Sequence, residues 1–171
     1  MYYGQIMKAD VANGPGMRVT LFVSGCRNHC PGCFNVDTWN FQYGHPYTEN
    51  VEEQIITELK ESYYRGLTIL GGEPFEEENQ PTVQNLIRNV RSKYAETRDI
   101  WVYTGYTLDE LRTKKHTDVT DKILQQIDCL VDGRFVLAEK DVTLRFRGSR
   151  NQRIIDMKQT MKTGNICLWE E

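Results

Sequence analysis

The sequence predicts an α/β domain, a partial (βα) barrel whose mostly parallel sheet has about five or six strands. Short apolar runs alternate with segments whose apolar residues recur at helical spacing, and short connections join them. A Gly-containing polar turn follows nearly every apolar run. That order is the one produced by right-handed strand–helix–strand crossovers. A complete eight-unit barrel needs roughly 250 residues, and this chain has 171.

The elements follow in order. Val19 to Val23 is an apolar, β-branched run and reads as the first strand. Val51, Ile55, Ile56, Leu59 and Tyr63 lie on one helical face, with Asn50 and Glu53 placed as a capping box. Leu67 to Leu70 is a buried-strand run that stops at Gly71-Gly72. Pro81 opens the next helix, where a missing N–H costs least, and Val83, Leu86, Ile87, Val90 and Tyr94 form its stripe. Ile100 to Tyr103 is the third strand. Thr107 and Glu110 form a capping box before Leu111, and Val119, Ile123, Leu124 and Ile127 mark a further helix before the strand Cys129 to Val131. Residues 1–156 are assigned to one domain and residues 157–171 to a C-terminal extension.

Ligands of parallel α/β sheets gather at the C-terminal ends of the strands. Four unusual segments fall there. The run Gly25-Cys26-Arg27-Asn28-His29-Cys30-Pro31-Gly32-Cys33 follows the first strand, and Gly71-Gly72-Glu73-Pro74 the second. Thr104-Gly105 follows the third and Asp132-Gly133-Arg134 the fourth. Gly71 and Gly72 either let a ligand approach the backbone or make a tight turn, with Glu73 as an anionic acceptor suited to an ammonium group and Pro74 fixing the turn. Thr104 and Gly105 either cradle a sugar hydroxyl or turn the chain. Asp132 and Arg134 either bind a carboxylate or ribose or form a surface ion pair.

The cysteines carry the sharpest signal. Cys26, Cys30 and Cys33 have C-x3-C-x2-C spacing, three thiolates where a structural zinc site or an ordinary cluster takes four ligands. An unfilled position on the metal is a place for a substrate. A zinc site would need His29, Cys129 or Cys167 as fourth ligand; His29 is hemmed in by Cys30, and the two cysteines lie far along the chain. Cys129 sits in an apolar stretch and reads as a small buried hydrophobe, with Cys167 a bystander.

With 21 Lys plus Arg against 24 Asp plus Glu and no block of either sign, nucleic acid is not an expected partner. The local basic cluster Arg145, Arg147, Arg150 and Arg153 suits a phosphate or an acidic partner surface, or is a solvated edge. No stretch approaches the roughly 20 apolar residues of a membrane span. Residues Met1 to Asp10 contain no hydrophobic run, so a cytoplasmic location with reduced thiols is expected.

The three-cysteine loop together with Gly71-Gly72-Glu73-Pro74 resembles the radical S-adenosylmethionine superfamily. Further runs narrow the resemblance: Asn13-Gly14-Pro15-Gly16 before Arg18, Cys30-Pro31-Gly32-Cys33-Phe34-Asn35, and Thr38-Trp39. Later come Trp101-Val102-Tyr103-Thr104-Gly105-Tyr106, Val131-Asp132-Gly133-Arg134-Phe135 and Arg147-Gly148-Ser149-Arg150-Asn151-Gln152. Together they are similar to the family of activating proteins of anaerobic ribonucleoside-triphosphate reductases.

That resemblance implies a [4Fe-4S] cluster on Cys26, Cys30 and Cys33, with S-adenosylmethionine chelated at the open iron. A reducing electron donor would drive its cleavage, and the resulting radical would take a hydrogen atom from a glycine of the reductase large subunit. Gly32, Cys33 and Phe34 would lie near the adenine and Glu73 near the methionyl amine, with Gly71, Gly72, Pro74, Thr104, Asp132 and Arg134 completing the cofactor site. No protein acid or base is required. Many superfamily members carry an aromatic residue just before the third cysteine, whereas this chain has Gly32 there and Phe34 after it. The reductase loop is expected to enter past Asn13 to Arg18, with the Arg145 to Arg153 cluster as a second docking surface. Other readings are the activator of another glycyl-radical enzyme such as formate C-acetyltransferase, an iron–sulfur electron carrier, or a zinc-binding module.

Overall fold

The computed structural model describes residues 1–170, which form one seven-stranded sheet flanked by helices. The strands are β1 (Tyr2–Asp10), β2 (Met17–Val23), β3 (His45–Pro46), β4 (Tyr64–Gly71), β5 (Asp99–Tyr103), β6 (Cys129–Asp132) and β7 (Arg153–Asp156). Their order in the sheet is β3-β1-β2-β4-β5-β6-β7. The central pairs β2–β4, β4–β5 and β5–β6 are parallel, whereas β1–β2, β1–β3 and β6–β7 are antiparallel.

This corrects the expected architecture. The sheet is mixed rather than mostly parallel, and it is an open sheet whose edge strands β3 and β7 do not pair with each other. The parallel centre was legible because its strands are continuous apolar runs. The flanking strands were not. β1 is half-buried and rich in Tyr, Gln and Lys, and β7 carries Arg153 and Asp156 at its ends, so neither presents an apolar run.

Among the described residues five α-helices flank the sheet: α1 (Glu49–Glu58), α2 (Gln80–Tyr94), α3 (Leu108–Arg112), α4 (Thr120–Leu124) and α5 (Met157–Thr163). The Thr107–Glu110 capping box of α3 forms as expected. At α1 the cap moves: Thr48, not Asn50, accepts from the Val51 N–H, because Thr48 holds the extended conformation that a cap needs. The segment after Val119 yields only the short α4.

The period-2 alternation of the strands separates two faces. On one, Val19, Leu21, Leu67, Ile69, Ile100, Val102, Leu130 and Ile155 pack fully buried against Val83, Leu86, Ile87 and Val90 of α2 and against the other helices. Each such side chain contributes about 1.5–3 kcal/mol by leaving water. The opposite face is layered differently. Thr20, Thr68, Trp101 and Cys129 share one level through the strand register, and Phe22, Leu70, Tyr103 and Val131, two residues further along each strand, share the next. Trp169 packs edge-on against Trp101 at 5.2 Å, so the C-terminal segment covers the outer part of this face.

Arg18 lies on that second face at the N-terminal end of β2, fully buried. Its guanidinium pairs with Asp99 at 2.5 Å and donates to Thr68 Oγ1 at 2.6 Å and to the Leu67 carbonyl at 2.9 Å. It therefore fastens β2, β4 and β5, and within the segment Asn13 to Arg18 this side chain is not presented to solvent. Removing it strands Asp99 and Thr68, although Asp99 retains Arg65 at 2.9 Å. We expect Arg18→Ala to lower stability by about 3 kcal/mol, the low end for breaking a buried pair, as an earlier urea midpoint; an unchanged midpoint would contradict this role.

Candidate metal centre

Three chain segments meet where β2 and β4 end. The parallel ladder continues past the strands: Gly72 N–H donates to the Val23 carbonyl at 2.7 Å and Glu73 N–H to the Gly25 carbonyl at 2.8 Å. On the other side, Gly25 N–H donates to the Thr38 carbonyl at 2.7 Å and Cys26 N–H to the Trp39 carbonyl at 3.2 Å. A side chain at Gly72 has no room, since a Cβ there would lie 2.6 Å from the Gly25 carbonyl oxygen. The close approach of these backbones is what Gly72 permits.

The cysteine loop then wraps on itself. His29 holds a left-handed backbone (φ 46°), and its ring stacks on Trp39 at 4.6 Å, which offsets the strain of that conformation. Cys33 N–H closes a turn onto the Cys30 carbonyl at 3.1 Å. The Asn35 N–H donates to Cys33 Sγ at 3.4 Å, while the backbone N–H groups of Asn28 and His29 act to lower the Cys26 thiol and that of Phe135 to lower the Cys30 thiol. Burial nevertheless pushes the Cys26 thiol up to about 11 and raises that of Cys30. Bound cations would favour the thiolate forms of Cys26 and Cys30 against that burial.

The loop opens onto a cavity of about 530 Å³ on the second face of the sheet. Cys26, Cys30 and Cys33 line it together with Gly71, Gly72, Thr104 and Gly105, so the segments after β2, β4 and β5 do converge. Gly133 brings the segment after β6 to the same wall, and Phe22, Leu70 and Tyr103 form the apolar floor. Phe34 stands at the mouth, 66% exposed, with its ring against Phe135 at 5.3 Å and Lys140 over it at 5.0 Å. Gly32 turns the loop with φ 73° and faces Leu137 rather than the cavity.

Several expected site residues lie elsewhere. Glu73 and Pro74 are buried behind the wall. Asp132 is buried and paired in register with Arg153, at 2.5 Å, while also accepting from the Leu108 N–H at 2.8 Å. Arg134 reaches Glu110 at 3.1 Å and lies over the Tyr106 ring. Neither Asp132 nor Arg134 faces the cavity, because β7 supplies the partner that the sequence left Asp132 without. The basic cluster is likewise engaged: Arg147 with the Gln152 carbonyl, Arg150 with Asp141, and Arg145 over the Phe146 ring at 5.1 Å. Sequence reasoning missed Asn28, Asn35 and the strap of residues 140–148, which closes one side of the cavity. Only Asn28 carried a local signal, its place between two of the cysteines.

The donor set tests what the cavity can hold. Among the described residues no three His, Cys, Asp or Glu side chains converge tightly enough for a single metal ion. An iron–sulfur cube makes no such demand, since each thiolate binds a different iron. Three soft donors around one cavity therefore fit a cluster with one iron left open. No helix among the described residues is long and apolar enough to cross a membrane.

Comparison with known proteins agrees. Residues 12–155 match the family described as a 4Fe-4S single cluster domain. The anaerobic ribonucleoside-triphosphate reductase-activating protein of Vibrio cholerae is 44% identical over 156 residues, 90% of this chain and 97% of the relative. The chain belongs to this activating-protein family. The family's Escherichia coli K12 member is 42% identical over 89% of the chain and 96% of its own length, and that of phage T4 36% identical over 90% and 93%. In this family member the three-cysteine loop is clamped between Thr38-Trp39 and Gly72-Glu73. Gly72→Ala should push Gly25 away and drop the iron and sulfide retained after anaerobic reconstitution well below wild type; full retention would show that the clamp does not set the loop.

Proposed function

We propose that the chain is a radical S-adenosylmethionine oxidoreductase that generates a glycyl radical on an anaerobic ribonucleoside-triphosphate reductase. The observation that carries this reading is the meeting of three cysteine sulfurs with a glycine-walled cavity large enough for a further ligand. The relatives' shared name supplies the target. A reduced [4Fe-4S] cluster on these sulfurs would supply the electron that cleaves S-adenosylmethionine, setting up hydrogen abstraction from a glycine of the reductase.

The chain's own residues have defined tasks in that reading. Cys26, Cys30 and Cys33 would hold the cluster, three protein ligands where four irons could take one each. The N–H groups of Asn28, His29, Phe135 and Asn35 stabilise negative charge on the sulfurs and so help set the reduction potential. Gly71, Gly72 and Gly105 give a ligand access to the backbone, and Thr104 lines the same wall. Phe22, Leu70 and Tyr103 exclude water from a reactive intermediate. Phe34 at the mouth offers an apolar surface to the ligand or the incoming loop. An external donor provides the electron.

The deciding experiment is anaerobic reconstitution followed by a single-turnover assay with reductant and S-adenosylmethionine. Release of 5′-deoxyadenosine is expected, and a glycyl-radical signal should appear when the purified reductase is present but not with formate C-acetyltransferase. Cys30→Ala should abolish both. An intact cluster that releases no 5′-deoxyadenosine would reduce the chain to an electron carrier and sink the proposal, and zinc bound in place of iron would do the same.

A further inference from the structure

Glu73 occupies the position where the superfamily resemblance expects a group for the methionyl amine, yet it is fully buried and does not line the cavity. Its carboxylate is already saturated. Thr104 Oγ1 and the Phe75 N–H donate to Oε1 at 2.8 and 3.0 Å, and the Gly105 N–H and Asn28 Nδ2 to Oε2 at 2.7 and 3.0 Å. A carboxylate has about four acceptor sites, and protein donors take all of them.

Asn28 is the one partner in this set that comes from the cysteine loop, and it is half-buried in the cavity wall between Cys26 and Cys30. An ionised carboxylate only accepts, so the amide must turn its Nδ2 toward Glu73. What Asn28 has left is its carbonyl Oδ1, an acceptor. The neighbouring turn is shaped around it: a Cβ at Gly105 would lie 2.4 Å from Asn28 Nδ2.

The geometry points to a division of roles in which Glu73 is a positioning residue and Asn28, held by it, is the side chain whose Oδ1 accepts from the ligand's ammonium group. The assignment rests on reading the cavity as an S-adenosylmethionine site. It explains why a buried carboxylate gathers donors from three separate loops without reaching the cavity. Without Glu73 the Asn28 amide is free to rotate and present its N–H₂ end, which repels an ammonium.

A double-mutant cycle tests it, using Asn28→Ala, Glu73→Gln and the double variant, each anaerobically reconstituted. The measurements are the equilibrium Kd for S-adenosylmethionine at pH 8, read by isothermal titration calorimetry on the unreduced protein so that the ligand is not cleaved, the iron content, and the melting temperature. Asn28→Ala should weaken binding roughly tenfold, the loss of one hydrogen bond to a charged group, with iron content unchanged. Glu73→Gln should weaken binding comparably when Asn28 is present, and by less than about twofold in the Asn28→Ala background, the signature of action through a neighbour. A full Glu73→Gln effect without Asn28 would mean that Glu73 meets the ligand itself and would overturn the assignment, as would wild-type affinity in Asn28→Ala. Should Glu73→Gln fail to fold, Asn28→Ala decides alone. Wild-type protein that holds its cluster but binds no S-adenosylmethionine would overturn the underlying reading, and the assignment with it.

Discussion

The continuation of the β2–β4 ladder beyond the strands is the constraint on which the site depends. Two backbone hydrogen bonds, from Gly72 to Val23 and from Glu73 to Gly25, hold the first residues of the cysteine loop against the glycine turn. Both segments leave parallel strands in the same direction, so each added bond carries the sheet's register into the loops. The cysteine loop thereby starts from a position set by the whole sheet. A metal-binding loop anchored in this way is partly organised before metal arrives, which lowers the ordering cost that binding must overcome.

The sheet's two faces divide the work of stability and function. The helix-covered face is uniformly aliphatic, and its core is ordinary in composition. The other face carries a buried ion pair at one end, threonines and Trp101 in the middle, and the cavity at the C-terminal end. Arg18 and Asp99 tie the end remote from the cysteines, where parallel strands leave unpaired backbone groups; Arg18 also donates to the Pro15 carbonyl at 3.1 Å. The C-terminal segment closes the side, with Leu168 bridging to Ile155 and Trp169 against Trp101. The cavity is thus a space that an open sheet would expose and that the loops, including the 140–148 strap, enclose.

Charge at the site is arranged with the same separation. Burial pushes Glu73 up to about 7 while donors from Phe75, Gly105 and Thr104 oppose that shift. Glu76, buried beside it, is paired with Arg27 at 2.7 Å, and Arg27 is itself a residue of the cysteine loop. Two buried acidic residues after β4 therefore each bind the loop, one through Asn28 and one through Arg27. The cavity wall itself combines the three cysteines and several glycines with aromatic and apolar side chains such as Phe22, Leu70, Tyr103 and Phe135. Glu73 and Glu76 stay off that wall, whereas Lys140 and Asp141 of the 140–148 strap stand on it.

The sequence by itself determined the elements whose signals are local. Apolar runs marked the four parallel strands, helical spacing marked α1 and α2, and the cysteine spacing singled out the loop that opens onto the cavity. The order of strands and loops also determined that the Cys26–Cys33, Gly71–Gly72, Thr104–Gly105 and Gly133 segments would share one rim. Only the tertiary structure decided the rest, because it depends on partners distant in sequence. Half-buried β1 and β7 gain their identity from the strands they pair with, and Arg18, which reads as a surface residue beside Gly16, is buried because Asp99 and Thr68 await it. Asp132 became structural because β7 brought Arg153 across from it. Glu73 could be recognised as a buried acceptor only once four donors from three loops had been assembled around it, an arrangement that no spacing in the chain encodes.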